Sequence, residues 1–214
     1  MSDFSLPEPT KSHLVLDFVF SDTDATYRRI RVPSNYSFEL IHKLIQYTFG
    51  WSDIKPHKFT ALGQIKLVSA SPEVKHVQNW GSPKIKISAS PSSQRSDDDV
   101  AEEDEKTFTL GDVWKDHEKV GANEKLGVSY EYDYEEGRML EIIYKHYQHM
   151  GAASNLPHII KGSGGPPRET IQSHEECDQK TFDVEAFNAN WQGYLGGTIQ
   201  SKAGLKEVAL GKVH

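Results

Sequence analysis

With one cysteine, Cys177, the chain cannot form an internal disulfide. It has no apolar run near the roughly 20 residues that a bilayer-spanning helix needs. Its opening, MSDFSLPEPT, lacks the basic start and apolar centre of a secretory signal. These absences predict a cytoplasmic or nuclear chain without a membrane segment, and they make the sequon Asn35-Tyr36-Ser37 an incidental match. Basic charge is scarce as well. Twenty-four Lys and Arg stand against 31 Asp and Glu, a net charge of -7, which argues against a nucleic-acid partner. Arg28, Arg29, Arg31 and Lys43 are the residues from which a basic patch is expected.

Apolar content is low at 36%, so part of the 214-residue chain reads as solvated loop or tail. Residues 90–105, SPSSQRSDDDVAEEDE, contain no aromatic side chain and are predicted to be a disordered acidic insertion. Ser96 precedes three Asp, a pattern for acid-directed kinases; the plainer alternative is an unregulated solvated loop. Residues 1–11 and 198–214 read as flexible tails around a single domain at 12–192.

Against these absences stand clear periodic signals. SHLVLDFVFS (12–21) and TYRRIRV (26–32) alternate with turn chemistry between them, predicting an opening hairpin. Phe38, Ile41, Leu44, Ile45 and Phe49 recur at helical spacing after Pro33-Ser34-Asn35, predicting a helix over 36–49 with His42, Lys43 and Gln46 outward. Gly50 is placed to take the left-handed conformation that ends a helix, with Trp51 folding back on the last turn near Ile45. HKFTALGQIKLV then returns as a strand, and residues 126–147 predict a second hairpin with Tyr130, Tyr132 and Tyr134 on one face and Glu135-Glu136-Gly137 at its turn. FDVEAFNANWQGYLGG closes with a helix capped by Asp183. The expected fold is α+β: a single domain with a mainly antiparallel or mixed twisted sheet, one long helix packed on a face, a β-grasp-like start and a C-terminal helix.

The candidate chemistry is thin. Asp53 and His57 lie just past the helix end, and Asp133 would arrive from the second hairpin; an imidazole held by a carboxylate is a proton shuttle. The structural alternative is that His57 only fixes the loop backbone. Trp51, Tyr130, Tyr132, Tyr134 and Arg138 are candidate ligand-binding residues, and the alternative for the aromatic row is cross-strand packing. His146, His149 and His158 are sparse for zinc, since the i, i+3 pair diverges on a strand, so no metal or cofactor is expected. Cys177 sits among Glu175, Glu176 and Asp178, which raise a thiol's pKa and disfavour a nucleophile. GSGGPP lacks the lysine and strand-to-helix setting of a phosphate loop.

Five pieces in order, TYRRIRVPSNYSFELIHKLIQYTFGWSDIKPHKF, FTLGDVW, SYEYDYEEG, GGPP and FDVEAFN, resemble the plasmid pRiA ORF-3-like domain family. That family's pattern reads W-R-R-I-x-V-P, L-H-x-x-I-Q-x-x-F-G-W, H-x-F, L-x-D, Y-x-Y-D-F-G-D-x-W-x-H, a Gly-Pro loop and F-D-x-E-x-x-N. The resemblance covers about residues 13–192 and implies an α+β domain of unknown function, with a suggested kinship to mobile-element resolvases. A recombinase needs a nucleophilic Tyr or Ser inside an Arg cluster, which this chain does not show downstream. Arg138 and Leu140 stand where the family has Trp and His. The reading is therefore a binding or interaction module for a protein or small ligand, with a groove between the 50–58 loop and the 126–147 hairpin. The alternatives are an enzyme using His57 with Asp53 or Asp133, and a mobile-element-associated nucleic-acid-binding protein.

Overall fold

The computed structural model describes residues 5–20, 26–53, 55–91, 100–116, 119, 121, 123–134, 138–165 and 183–195. In chain order the elements are β1 (Thr10–Phe20), β2 (Tyr27–Pro33), α1 (Phe38–Phe49), β3 (His57–Gly63), β4 (Lys66–Ser69), β5 (Lys75–Asn79) and β6 (Pro83–Ser88). They continue as β7 (Ala101–Asp104), α2 (Leu110–Val113), β8 (Leu126–Tyr132), β9 (Arg138–Ser154), β10 (His158–Ser163) and α3 (Val184–Leu195). Eight strands form one sheet in the order β10-β2-β1-β9-β8-β3-β6-β7, and β4–β5 form a separate ribbon. All pairings within the large sheet are antiparallel except β6–β7, so the sheet is mixed.

Both expected hairpins form. Leu16 pairs with Ile30 across β1–β2, and Tyr130 pairs with Leu140 across β8–β9, whose turn at 135–137 lies outside the described residues. The period of two divides β1 between two cores. Leu14, Leu16, Phe18 and Phe20 join Ile41, Leu44, Ile45 and Phe49 of α1, Phe59 of β3, and Tyr130 and Tyr132 of β8 in the main core. Val19 faces the other way and joins Tyr27, Leu62, Ile65, Val74, Val77 and Ile143 beneath the β4–β5 ribbon. Because helix and ribbon cover opposite faces, β1 is buried continuously from His13 to Phe20.

Three expectations are corrected. The helix spans Phe38–Phe49, 12 residues, the same length as α3, so there is no single long helix. It starts late because the chain before it is engaged elsewhere: Tyr36 N–H closes a turn on Pro33 O, Gly111 N–H donates to Ser34 O at 2.8 Å, Leu110 N–H to Tyr36 O at 2.9 Å, and Ser37 bridges Thr109. The start is β-grasp-like in element order alone, since the β8–β9 hairpin occupies the two places between β1 and the returning β3. Finally, the acidic segment is not one disordered insertion over 90–105. Ala101–Asp104 pairs in parallel with Ile85–Ser88, and Glu105 is buried, while 92–99 lie outside the described residues. A strand on the sheet edge can carry charge along its solvated side, and such charge blunts edge-to-edge association.

Gly50 and Asp183 act at their helix ends as expected, whereas α1 is capped by Ser37, past the Ser34-Asn35 that precede its expected start. The Ser37 hydroxyl accepts from Leu40 N–H, and Gly50 sits at φ 66°. Gly50 N–H donates to Tyr47 O and Trp51 N–H to Gln46 O, the paired bonds of a Schellman ending. At α3, the Asp183 carboxylate accepts Ala186 N–H at 3.0 Å. Asn188 then bonds both backbone groups of Ile159, accepting at 2.8 Å and donating at 2.9 Å, which occupies part of the outer edge of β10.

The second core contains one carboxyl group that is costly to ionise. Glu141 is buried on β9 and accepts Val77 N–H of β5 at 2.8 Å; burial pushes it up to about 7 against a small opposing effect of that bond. The unfolded chain ionises this group near pH 4.5, whereas the folded chain keeps it protonated to about pH 7. Its contribution to stability therefore declines as pH rises through that window and levels off above it. Glu141→Gln retains the acceptor and removes the charge. We expect it to stabilise the chain by roughly 2–3 kcal/mol at pH 8 and to leave stability unchanged at pH 4, as read by urea unfolding across pH. Parallel pH curves for the two proteins would contradict this.

Candidate functional site

The end of α1 carries two sequence-adjacent signals, a helix stop and a loop with a non-glycine residue at positive φ. Past Gly50, Trp51 turns into the core and stacks on Tyr132 with ring centroids 4.8 Å apart, its edge meeting Phe20 at 5.5 Å. Asp53 then takes φ 57°, a conformation that aspartate tolerates better than most side chains. Its backbone N–H donates to Gln46 Oε1 at 3.0 Å, which brings the carboxylate back over the helix.

Four hydrogen bonds close a ring there. With Gln46 Oε1 accepting from Asp53, the amide nitrogen donates to Tyr130 OH at 3.0 Å. The Tyr130 hydroxyl lies 2.9 Å from His42 Nδ1, and His42 Nε2 lies 2.6 Å from Asp53 Oδ1. Having accepted from Gln46, the phenol O–H donates a hydrogen bond to Nδ1, and the neutral imidazole donates Nε2–H to Asp53. The environment agrees with this tautomer. Burial lowers the pKa of His42, and the Asp53 bond only partly offsets it. At Asp53, burial pushes the carboxyl up, but His42 and the Lys43 ammonium, which also bonds it, prevail and hold it below the usual carboxylate range.

His57, the first residue of β3, lies against this ring. Its imidazole stacks on that of His42 with centroids 3.5 Å apart and planes within 4°. Its Nε2 is 2.9 Å from Glu105 Oε2, a carboxylate buried at the end of β7. One ring nitrogen each of His42 and His57 and an oxygen of Asp53 all lie within 4.8 Å of one another. Among the described residues this is the one group of three or more His, Cys, Asp or Glu side chains with metal-ligand spacing. His146 and His149 on β9 and His158 on β10 do not gather into such a group.

The sequence-predicted residues therefore do converge, with different partners. Asp53 pairs with His42 and Lys43 rather than His57. Asp133, buried at φ 59°, pairs with Lys55 at 2.9 Å and receives no bond from His57; its N–H donates to Pro56 O, tying the second hairpin to the 51–57 loop. Trp51, Tyr130 and Tyr132 are buried in the main core, so the two segments meet as a packed seam. Tyr134 is 51% exposed, with the Lys58 ammonium over its ring. Arg138 pairs with Tyr132 through its backbone, and its side chain lies outside the described residues, as do Cys177, Ser96 and the prolines of GSGGPP.

The expected basic patch is dispersed. Arg28 is buried, donating to the carbonyls of Ser163 and Gly164 at 2.6 and 3.0 Å, with its guanidinium over Phe49. Arg29 forms a bidentate pair with buried Asp17, and Lys43 serves Asp53. Sequence reasoning missed His42, Gln46 and Glu105. The first two are polar residues at i, i+4 within the pattern L-H-x-x-I-Q, yet both are buried, and that spacing puts them on one helix face. Glu105 gave no signal, being the last letter of an acidic run.

The model of the family described as "Plasmid pRiA4b ORF-3-like protein" matches residues 19–189. The chain belongs to this family. A solved structure, titled as a protein of unknown function, MM3350 from Methanosarcina mazei Go1, is similar at 22% identity and a TM-score of 0.49, covering 71% of this chain and 69% of its own. No curated protein matches the chain. No helix among the described residues is long and apolar enough to cross a membrane.

Tyr130→Phe removes the hydroxyl that links two sides of the ring and leaves buried His42 Nδ1 and Gln46 Nε2 each without that partner. Urea unfolding is expected to show a loss of roughly 2–4 kcal/mol, against under about 0.5 kcal/mol for Tyr134→Phe on the exposed rim. Equal effects would show that the ring carries no special weight.

Proposed function

We propose that the chain is a binding module whose contact surface is the mouth of the seam between the 51–57 loop and the end of the β8–β9 hairpin. The observation that carries this reading is the rigid mounting of polar and aromatic groups there. Trp51 on Tyr132, and Asp133 N–H on Pro56 O, clamp the two segments together. Around that clamp stand Asp53, 33% exposed in its side chain, the Lys55 ammonium, His57 and the outward Tyr134. A pre-formed rim of this kind recognises a protein segment or small ligand through a few fixed polar groups beside an aromatic face.

An acid–base enzyme is the second reading, favoured by one contact. His57 Nε2 stands 2.9 Å from buried Glu105, and a carboxylate behind an imidazole orients it as a general base. The supporting pair is His57 with Glu105, not with Asp53 or Asp133. The module reading ranks first because both nitrogens of His42 are spent on Tyr130 and Asp53. In addition, no serine, threonine or cysteine among the described residues is hydrogen-bonded to His57.

A fragment library screened by amide NMR against the labelled full chain separates these readings from none. The module predicts that fragment-induced shifts cluster at residues 51–58 and 131–134 and are lost in Tyr134→Ala. Shifts confined to another face, or unaffected by that substitution, would contradict it.

A further inference from the structure

We propose that His42, Asp53 and His57 form a binding site for one divalent transition-metal ion, with zinc the simplest case. The inference rests on the placement of the contact surface at this seam and names what that surface takes. The ligand set is two imidazoles and one carboxylate, drawn from α1, the loop after it and β3, and their ligand atoms already lie within 4.8 Å of one another. Two histidines with one carboxylate suit zinc and other borderline divalent metals, and three protein ligands leave coordination positions open.

What lifts the cluster above a chance grouping is the support behind each ligand. A metal-bound histidine nearly always has its second ring nitrogen held by a fixed partner. His42 has Tyr130 OH at 2.9 Å on Nδ1, leaving Nε2 towards Asp53. His57 has Glu105 Oε2 at 2.9 Å on Nε2, leaving Nδ1 as the ring's remaining ligand atom. Asp53 is held at φ 57° by Gln46, an arrangement with no role in extending α1 that aims the carboxylate at the imidazoles. Its second oxygen bonds Lys43, so it would offer the metal one oxygen.

Uptake has a definite chemical balance. Binding through Nε2 needs the other tautomer of His42: the proton leaves Nε2 for Nδ1, which then donates to the Tyr130 hydroxyl while the phenol's own O–H turns away. The imidazole stays neutral and releases no net proton, and the metal joins Nε2 to the Asp53 carboxylate. In-plane lone pairs of parallel rings run side by side, so binding also turns the two imidazoles out of their stack.

The test uses the full-length chain stripped with a chelator and titrated with Zn²⁺ by calorimetry, and with Co²⁺ by visible absorption. The expected result is saturable binding of one equivalent with Co²⁺ ligand-field bands, accompanied by a change in the ¹⁵N shifts of the His42 and His57 rings. Asp53→Asn and His57→Gln should each lose at least 100-fold in affinity. Glu105→Gln, behind His57, should lose roughly 10–100-fold. The double variant His146→Ala/His149→Ala should bind as the parent does. Amide NMR of each variant confirms that its fold is intact, and if Asp53→Asn unfolds, the parent's ring shifts and the His57 and Glu105 variants decide the matter. No saturable equivalent, or one that survives His57→Gln and is abolished in the His146/His149 variant, overturns the proposal. If metal fails while fragments still map to residues 51–58, this inference falls and the module reading stands; fragments that map elsewhere remove the module reading instead.

Discussion

A polar ring under a helix end organises this molecule: Asp53 N–H to Gln46, Gln46 to Tyr130, Tyr130 to His42, and His42 back to the Asp53 carboxylate. Each of these groups would be expensive to bury alone, and the ring satisfies all of them at once. It also joins α1 and the loop after it to β8, which lies far along the sequence. With the Trp51–Tyr132 stack and the Asp133–Pro56 bond, it holds the turn after Trp51 over the helix. The Lys43–Asp53 pair takes its position from that turn, and His57 stacks on the ring's imidazole while bonding Glu105, whose backbone is fixed by Ser88 O and Glu39 N–H.

The same logic extends along the family's sequence pieces, which interlock in space. Arg28, from the R-R-I stretch, crosses Phe49 and holds the carbonyls of the glycine-rich loop. Phe49 meets Trp51, and Trp51 stacks on Tyr132 of the Y-x-Y piece. Asn188, the last letter of the terminal piece, occupies the backbone of β10, whose far side pairs with β2. Short motifs scattered over 170 residues thus become one mechanically continuous assembly around the C-terminal end of α1. Few of their side chains are free to act on a ligand; the groups that reach the rim are Asp53, Lys55, His57 and Tyr134.

Much of this was legible because local physics decides it. Alternation revealed both hairpins, Gly50 and Trp51 marked the helix stop, and Asp183 marked the start of α3. The failures share one cause. Helical amphipathicity put His42 and Gln46 outside, because a single helix cannot announce that a later loop will cover its polar side. Acidic composition put Glu105 in a disordered segment, because the partner that stabilises it, His57, lies 48 positions away. The order of strands likewise depends on where a distant hairpin inserts, which no window of sequence encodes.

The account depends on His42 being a neutral imidazole that accepts at Nδ1 and donates from Nε2. Nitrogen-15 NMR of the metal-free protein at pH 7, correlated to the ring protons, reads this tautomer directly. The prediction is an unprotonated, pyridine-like Nδ1 and a protonated Nε2 for His42. A protonated Nδ1 with a bare Nε2, or an imidazolium with both nitrogens protonated, would mean that the ring of hydrogen bonds is not closed as described and that the seam is held by something else.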